Sequence, residues 1–267
     1  MLKERETAPG RADILVKYDS TDVNRGGIWR SFIAPRMAFG DMNDCSYQEL
    51  GSGVRGEQNV FVNELVSSVI QVLVFAAIPF IVYLIGTKSA KGFLKDIGFY
   101  RPEGKTVQLA LVASIVLFLV LWGVFLAAGA VEMFHDEASV TGMLRAAGLS
   151  SDTVLALIVM AWIKTSLSEE IFFRGFLGKR LIRRFGFLAG NLMQAGMFGA
   201  VHGILIALAS EAQVPGWWIA LLVITSFAAG CIIGWIKEKR GNGSIIPGWI
   251  AHGLGNTVGY FVIAFVM

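Results

Sequence analysis

The sequence contains six long apolar runs, and each is close to the about 20 residues that a helix needs to cross a bilayer. Helix is the expected form of these runs, because lipid offers no hydrogen-bond partner to open backbone groups. The composition agrees: 55% of the residues are hydrophobic and 16% are charged, against about a quarter charged in soluble domains. The sequence therefore predicts an all-α, polytopic helix bundle of about six transmembrane helices, integral to a lipid bilayer. The runs are residues 61–86, 106–130, 152–176, 187–209, 216–236 and 245–267.

Three regions follow from this pattern. Residues 1–60 are mixed polar without a sustained period, which predicts a poorly ordered N-terminal tail. Residues 61–149 are predicted to hold the first transmembrane helices and a basic loop. Residues 150–267 hold most of the polar groups within apolar runs and are predicted to be the functional core. The polar N-terminus predicts no cleavable signal peptide.

Charge and cysteine content exclude two classes of function. The formal net charge is +3, which is too small to indicate a nucleic-acid partner. The two cysteines, Cys45 and Cys231, provide neither a disulfide framework nor the spacing of a metal site.

The loops between the apolar runs alternate in charge. Lys and Arg concentrate in the 87–105 loop, after residue 176 and after residue 236, whereas the 131–151 and 210–215 loops are poor in cations. The positive-inside rule therefore places the three basic loops in the cytoplasm. With six spans, this alternation of loops places both termini outside the cytoplasm. The N-terminal tail would then have to be exported, unless a re-entrant segment lies near the N-terminus.

Pairs of glycines one helical turn apart predict close packing of the late spans. Small residues at this spacing allow helix backbones to approach each other in a membrane. The pairs are Gly199 and Gly203, Gly230 and Gly234, and Gly255 and Gly259.

The first unexpected polar group is Glu169-Glu170, near the end of the third run. Glu170 and Arg174 are four residues apart and can pair on one helix face. Glu169 lies ~100° round the helix and has no partner at that spacing. Two adjacent carboxylates resist ionising together, so an unpaired glutamate in a partly dry site is a candidate general base. The alternative is an ordinary helix end whose charges reach the headgroups.

The second group is a polar face on the fourth run. Asn191, Gln194, Phe198 and His202 follow at steps of three, four and four, so they share one face, which should point into the bundle. The alternative for His202 is a buried imidazole that only binds a backbone carbonyl.

The last run places His252 and Asn256 four residues apart on one face. His202 and His252 are two of only three histidines, and the third, His135, lies in the acidic 131–151 loop. Lys164, five residues before Glu169, is also inside a run, where it can reach the headgroups or neutralise a carboxylate.

These motifs together resemble a known family. Glu169-Glu170-x3-Arg174, Phe198-x3-His202 and His252-x3-Asn256 occur in this order on successive runs, as in the CAAX-protease and bacteriocin-processing family, the Rce1-like or Abi group of intramembrane peptidases. The resemblance covers about residues 150–262. It implies a bundle of membrane helices around a cavity open to the cytoplasm.

The resemblance also implies a role for each matching residue. Glu169 would activate a water molecule, His202 would orient or deprotonate it, and His252 and Asn256 would stabilise the oxyanion. Glu170, Arg174 and Phe198 would support the site. Binding of Zn²⁺ or another divalent cation by His202, His252 and Glu169 stays an open alternative, since two histidines and a carboxylate can form a three-ligand site. The absence of a His-Glu-x-x-His helix slightly favours metal-free activation.

The resemblance implies an endopeptidase in the plasma membrane of a prokaryote, with its site facing the cytoplasm. The expected substrate is a peptide or protein with an apolar or lipidated tail. Two alternatives stay open: a non-catalytic scaffold or bacteriocin-immunity protein of the same family, and a transporter or bis-histidine haem protein. No internal repeat of broken helices is apparent, as many transporters would show.

Overall fold

The computed structural model of the protein describes residues 60–131, 134, 139–209 and 214–267. The predicted tail, apart from Val60, and His135 lie outside the described residues. Within them the fold is all-helical, as predicted. The α-helices are α1 (Val60–Thr87), α2 (Phe93–Asp96), α3 (Gly104–Ala127), α4 (Val140–Ala147), α5 (Ser151–Val159), α6 (Lys179–Phe185), α7 (Phe187–Ala209), α8 (Gly216–Trp235) and α9 (Ile246–Phe265).

Four of the described helices are long and apolar enough to cross a membrane. They are α1, α3, α7 from Phe187 to Leu208, and α8 with its continuation to Arg240, and they correspond to four of the six predicted spans. The predicted spans 152–176 and 245–267 are helical, but they are not among these four. Both contain the polar residues of the candidate site, and the count of six crossings stays a prediction.

Helix α1 has the burial pattern of a helix that faces lipid. The residues that it buries are Glu64, Ser68 and Pro79, whereas large apolar side chains such as Leu73 and Ile85 are each 64% exposed. A helix on the surface of a soluble protein does the reverse and buries its apolar stripe. The outer surface of this bundle is therefore suited to a hydrocarbon environment.

Residues 151–185 form one unbroken helix, named here the site helix. A capping box between Ser150 and Thr153 starts it, and Gly186, with φ of 80°, ends it. Between α5 and α6 the helix is π-helical over Met160–Leu167 and Glu170–Gly178. The basic loop predicted after residue 176 is wrong, because the helix runs on through these residues to Phe185.

The three basic segments lie at the same end of the bundle. Lys179 Nζ is 2.5 Å from Asp96 Oδ1, which joins the 87–105 loop to α6. Thr106 Oγ1 donates to the Arg240 carbonyl and the Tyr100 hydroxyl donates to the Asn242 carbonyl, both at 2.6 Å. These contacts confirm that the basic segments share one side, and the assignment of that side to the cytoplasm stays a prediction.

The glycine pairs lie at helix contacts, as predicted. A Cβ atom on Gly199 would come within 2.6 Å of the Val223 carbonyl oxygen, and one on Gly230 within 3.1 Å of Ala195 Cβ. These pairs therefore allow α7 and α8 to pack closely. The third pair faces α3, where a Cβ atom on Gly255 would lie 4.0 Å from Ser114 Oγ and one on Gly259 would lie 3.3 Å from Trp122 Nε1.

Candidate active site

The candidate site forms where the site helix packs against α7 and α9. Its centre is the His252 imidazole, which lies between two consecutive carboxylates. Glu169 Oε2 is 3.6 Å from His252 Nε2, and Glu170 Oε1 is 3.5 Å from His252 Nδ1. The structure thus brings together two helices whose site residues are 83 positions apart in the chain.

Glu170 and Arg174 pair as their spacing predicts. Glu170 Oε1 is 3.3 Å from Arg174 Nη1, and the two side chains are 0% and 1% exposed. The Arg174 guanidinium also lies 4.1 Å from the centre of the Phe198 ring, which is within the range of a cation–π contact. The pair is therefore a buried structural link between the site helix and α7.

Gly248 allows α9 to approach Glu170. A Cβ atom at this position would lie 2.6 Å from Glu170 Oε2 and 2.8 Å from Ile233 Cγ2. A larger residue would push α9 away from the carboxylate, and His252 is on the next turn of the same helix. Nothing in the local sequence distinguishes Gly248 from the other glycines of α9, so this function appears only in the structure.

His202 lies on the predicted polar face of α7, and its Nδ1 is 2.8 Å from the Phe198 carbonyl oxygen. A carbonyl only accepts hydrogen bonds, so this contact assigns a proton to Nδ1, and in the neutral ring Nε2 is then an acceptor. The Phe198 ring lies 4.4 Å from the His202 ring and 6.1 Å from the His252 ring, centre to centre. The backbone-bound state that was the alternative for His202 is thus present, and it is compatible with a free Nε2.

The rest of the α7 face binds α8. Asn191 Nδ2 donates to the Cys231 carbonyl at 2.9 Å, and Gln194 Nε2 donates to the Gly230 carbonyl at 3.0 Å. Both side chains are buried. The face therefore points into the bundle as predicted, and only its Phe198 and His202 end reaches the candidate site.

Asn256 is held by the π-helical part of the site helix. Its Nδ2 donates to Thr165 Oγ1 at 2.9 Å and lies 3.4 Å from Ser166 Oγ. The Ser166 hydroxyl itself donates to the Ala161 carbonyl at 2.6 Å. Ser168 also bonds to carbonyls of its own helix. The sequence pattern did not identify Thr165 as the partner of Asn256.

The catalytic candidates include atoms that are buried and make no hydrogen bond to the described protein residues. Glu169 Oε2 and His252 Nδ1 are both in this state. Buried polar atoms almost always have partners in native proteins, and exceptions occur at functional sites. The Glu169 carboxylate therefore keeps lone pairs available for a proton.

The metal site predicted at Glu169, His202 and His252 stays a prediction. Glu169 and His252 approach each other, and His202 bonds a carbonyl through Nδ1, which leaves Nε2 as the nitrogen that a metal would use. Among the described residues no three His, Cys, Asp or Glu side chains are grouped to hold a metal ion, whereas a catalytic zinc needs three protein ligands.

Lys164 has a partner that the sequence did not predict. Its Nζ lies 2.8 Å from Glu64 Oε2 on α1, and its carbonyl accepts a 2.7 Å hydrogen bond from Gln71 Nε2. Lys164 therefore neutralises a carboxylate, as one of its two predicted roles requires, but that carboxylate belongs to α1. The spacing of 100 residues between the partners is outside the reach of local pattern reasoning.

The family model described as type II CAAX prenyl endopeptidase Rce1-like matches residues 151–258. No curated protein and no solved structure matched the chain. The matched region begins with the first residue of the site helix and includes every predicted catalytic residue: Glu169, His202, His252 and Asn256. The match thus confirms the family resemblance over residues 151–258, where the chain carries an Rce1-like domain.

Proposed function

We propose that the protein is an intramembrane endopeptidase that hydrolyses a peptide bond with a water molecule activated by Glu169. The observation that carries this proposal is the contact of 3.6 Å between Glu169 and His252, on two helices of the Rce1-like domain. It joins a candidate base to a candidate hydrogen-bond donor. The Oε2 atom of this base is buried and has no hydrogen bond to the described residues that would occupy it.

In the proposed reaction Glu169 takes a proton from water as hydroxide adds to the substrate carbonyl carbon. His202 Nε2, an acceptor because Nδ1 carries the proton, orients this water. The negative charge that develops on the carbonyl oxygen needs preorganised donors. His252 and the second amide hydrogen of Asn256 supply them, since the first is directed at Thr165. The C–N bond then breaks as Glu169 returns the proton to the leaving nitrogen.

The proposed substrate is a peptide or protein with an apolar or lipidated tail, cut near the cytoplasmic membrane face. The apolar outer surface of the bundle supports this, because a substrate that partitions into lipid reaches the site laterally. The basic end of the bundle, where the site helix ends, supports the cytoplasmic assignment.

The experiment compares new protein N-termini in membranes of cells that express wild type or Glu169→Gln. The substitution keeps the size of the side chain and removes the base. We expect a set of termini that occurs only with the wild type. Matching termini in both samples, at equal protein levels, would reject the peptidase and favour a non-catalytic scaffold or immunity protein of the same family.

We further propose that the reaction needs no metal, because the sequence lacks the His-Glu-x-x-His helix of common zinc peptidases. Purified protein treated with a strong chelator and then freed of it should keep its activity on a substrate found in the first experiment. The control is the same treatment of a known zinc peptidase. Loss of activity that stoichiometric Zn²⁺ restores would contradict this part of the proposal.

A further inference from the structure

Helix α1 carries a polar stripe that contacts the site helix. Glu64, Ser68 and Gln71 are spaced by four and three residues, so they share one face of the helix. Glu64 is 6% and Ser68 0% exposed, in a helix whose apolar side chains point outward. Ionisable and polar groups buried at membrane depth are unfavourable unless they have partners, and they are functional candidates by default.

Two members of the stripe hold the same residue, Lys164. Glu64 Oε2 binds its ammonium group at 2.8 Å, and Gln71 Nε2 donates to its carbonyl oxygen at 2.7 Å. Gln71 Nε2 also lies 3.4 Å from Ser168 Oγ. The stripe therefore fixes both the side chain and the backbone of one position in the site helix.

That position lies in the π-helical segment Met160–Leu167. In a π-helix the regular backbone bond is from residue i to residue i+5, and such segments are less stable than α-helix unless other contacts support them. Thr165, which holds Asn256, directly follows Lys164. Ser168 directly precedes Glu169. The contacts from α1 thus lie next to the catalytic candidate Glu169 and to Thr165, the partner of Asn256.

We propose that α1 is a functional part of the active site and that Glu64 and Gln71 are positioning residues. They hold Lys164 so that the π-helical segment presents Glu169 to His252 and Thr165 to Asn256. Because α1 lies outside residues 151–258, the Rce1-like domain of this chain depends on a helix that the family match does not include. This inference rests on the proposed peptidase function for its kinetic test, but not for its structural one.

The structural test is hydrogen exchange of the purified protein in detergent. Gln71→Met keeps the length of the side chain and removes the donor. Asn63→Leu is the matched control, because Asn63 is an exposed polar residue of the same helix. We expect faster amide exchange in peptides that cover residues 160–170 for Gln71→Met only. Equal exchange in both variants and the wild type would overturn the proposal, whether or not the protein is a peptidase.

The kinetic test uses the same variants and a substrate found with the wild type. A small misplacement of catalytic groups lowers rates by roughly 10- to 100-fold, so we expect kcat of Gln71→Met to fall within that range. KM should stay unchanged, because Gln71 is not expected to touch substrate. An unchanged kcat, or a loss that Asn63→Leu shares, would contradict a positioning role.

A second pair of variants separates positioning from general destabilisation. Glu64→Gln removes the charge that pairs with Lys164, and Glu64→Lys combined with Lys164→Glu restores a pair of opposite orientation. We expect kcat to fall by at least about tenfold in Glu64→Gln and to recover in the exchanged pair. Recovery supports the proposal. An exchanged pair that folds with a wild-type melting temperature but keeps the low kcat would overturn the assignment of Glu64.

Discussion

Glu169 and Glu170 are adjacent in the chain, but their surroundings give them different functions. Glu170 is fully buried between Arg174 and His252, whereas Glu169 is 15% exposed and faces only the His252 ring among the charged groups of the described residues. A buried ion pair that loses one partner leaves an uncompensated charge. We therefore expect Glu170 to support the structure and Glu169 to be the carboxylate that exchanges a proton.

The two glutamates should differ when each is replaced by glutamine. Glu170→Gln leaves Arg174 buried without a counter-charge and should lower the free energy of unfolding by about 3–5 kcal/mol. Glu169→Gln should change it by less than about 1 kcal/mol. Denaturation of the purified protein with increasing SDS, followed by circular dichroism, measures both. Similar losses in the two variants would contradict this division of functions.

His202 offers a test of its two nitrogens. An asparagine amide reaches about as far as Nδ1, so His202→Asn should keep the hydrogen bond to the Phe198 carbonyl and fold with a wild-type melting temperature. It loses Nε2, and we expect activity to fall by about 10²- to 10⁴-fold, the usual contribution of an acid–base group. Full activity in His202→Asn would show that the imidazole only supports the structure.

At the scale of elements, the local sequence predicts helices and shared faces well. The positions of α7 and α8, the Glu170–Arg174 pair and the inward face that ends at His202 all follow from spacing and hydropathy. The π-helical segments do not, because their residues have no distinctive period and the segments are supported by contacts from other helices. The partners of Lys164 and Asn256 are likewise set by how distant helices pack, which one sequence does not specify.

The contact between α7 and α8 can be tested with two glycines of the same helix. Gly199→Ala would place a Cβ atom 2.6 Å from the Val223 carbonyl oxygen, so we expect a loss of about 1–3 kcal/mol, as for an overpacked core. Gly196→Ala is the control, since nothing lies within 4 Å of its added Cβ. The same denaturation assay measures both. A loss in Gly196→Ala as large as that in Gly199→Ala would show that helix flexibility, and not close packing, explains the effect.

Two features of the whole molecule together predict how it is oriented in the membrane. The bundle exposes apolar side chains on its outside, and its three basic segments bind one another at one end. The site helix runs toward that end, from Ser151 to Phe185. If the basic end is cytoplasmic, the opposite end, which contains the turn between α4 and the site helix, faces the other side of the membrane.

Single cysteines at the two ends can test this arrangement. In a background with Cys45→Ser and Cys231→Ala, Ser89→Cys places a thiol in the exposed basic loop and Leu149→Cys places one in the exposed turn at the opposite end. With a maleimide that does not cross membranes, we expect Leu149→Cys to be labelled in intact cells and Ser89→Cys only after the membranes are opened. The unsubstituted background controls for other thiols. The reverse pattern would place the basic end outside the cell and reject a substrate presented from the cytoplasm. Labelling of both variants in intact cells would contradict a bundle that spans the bilayer between these two positions.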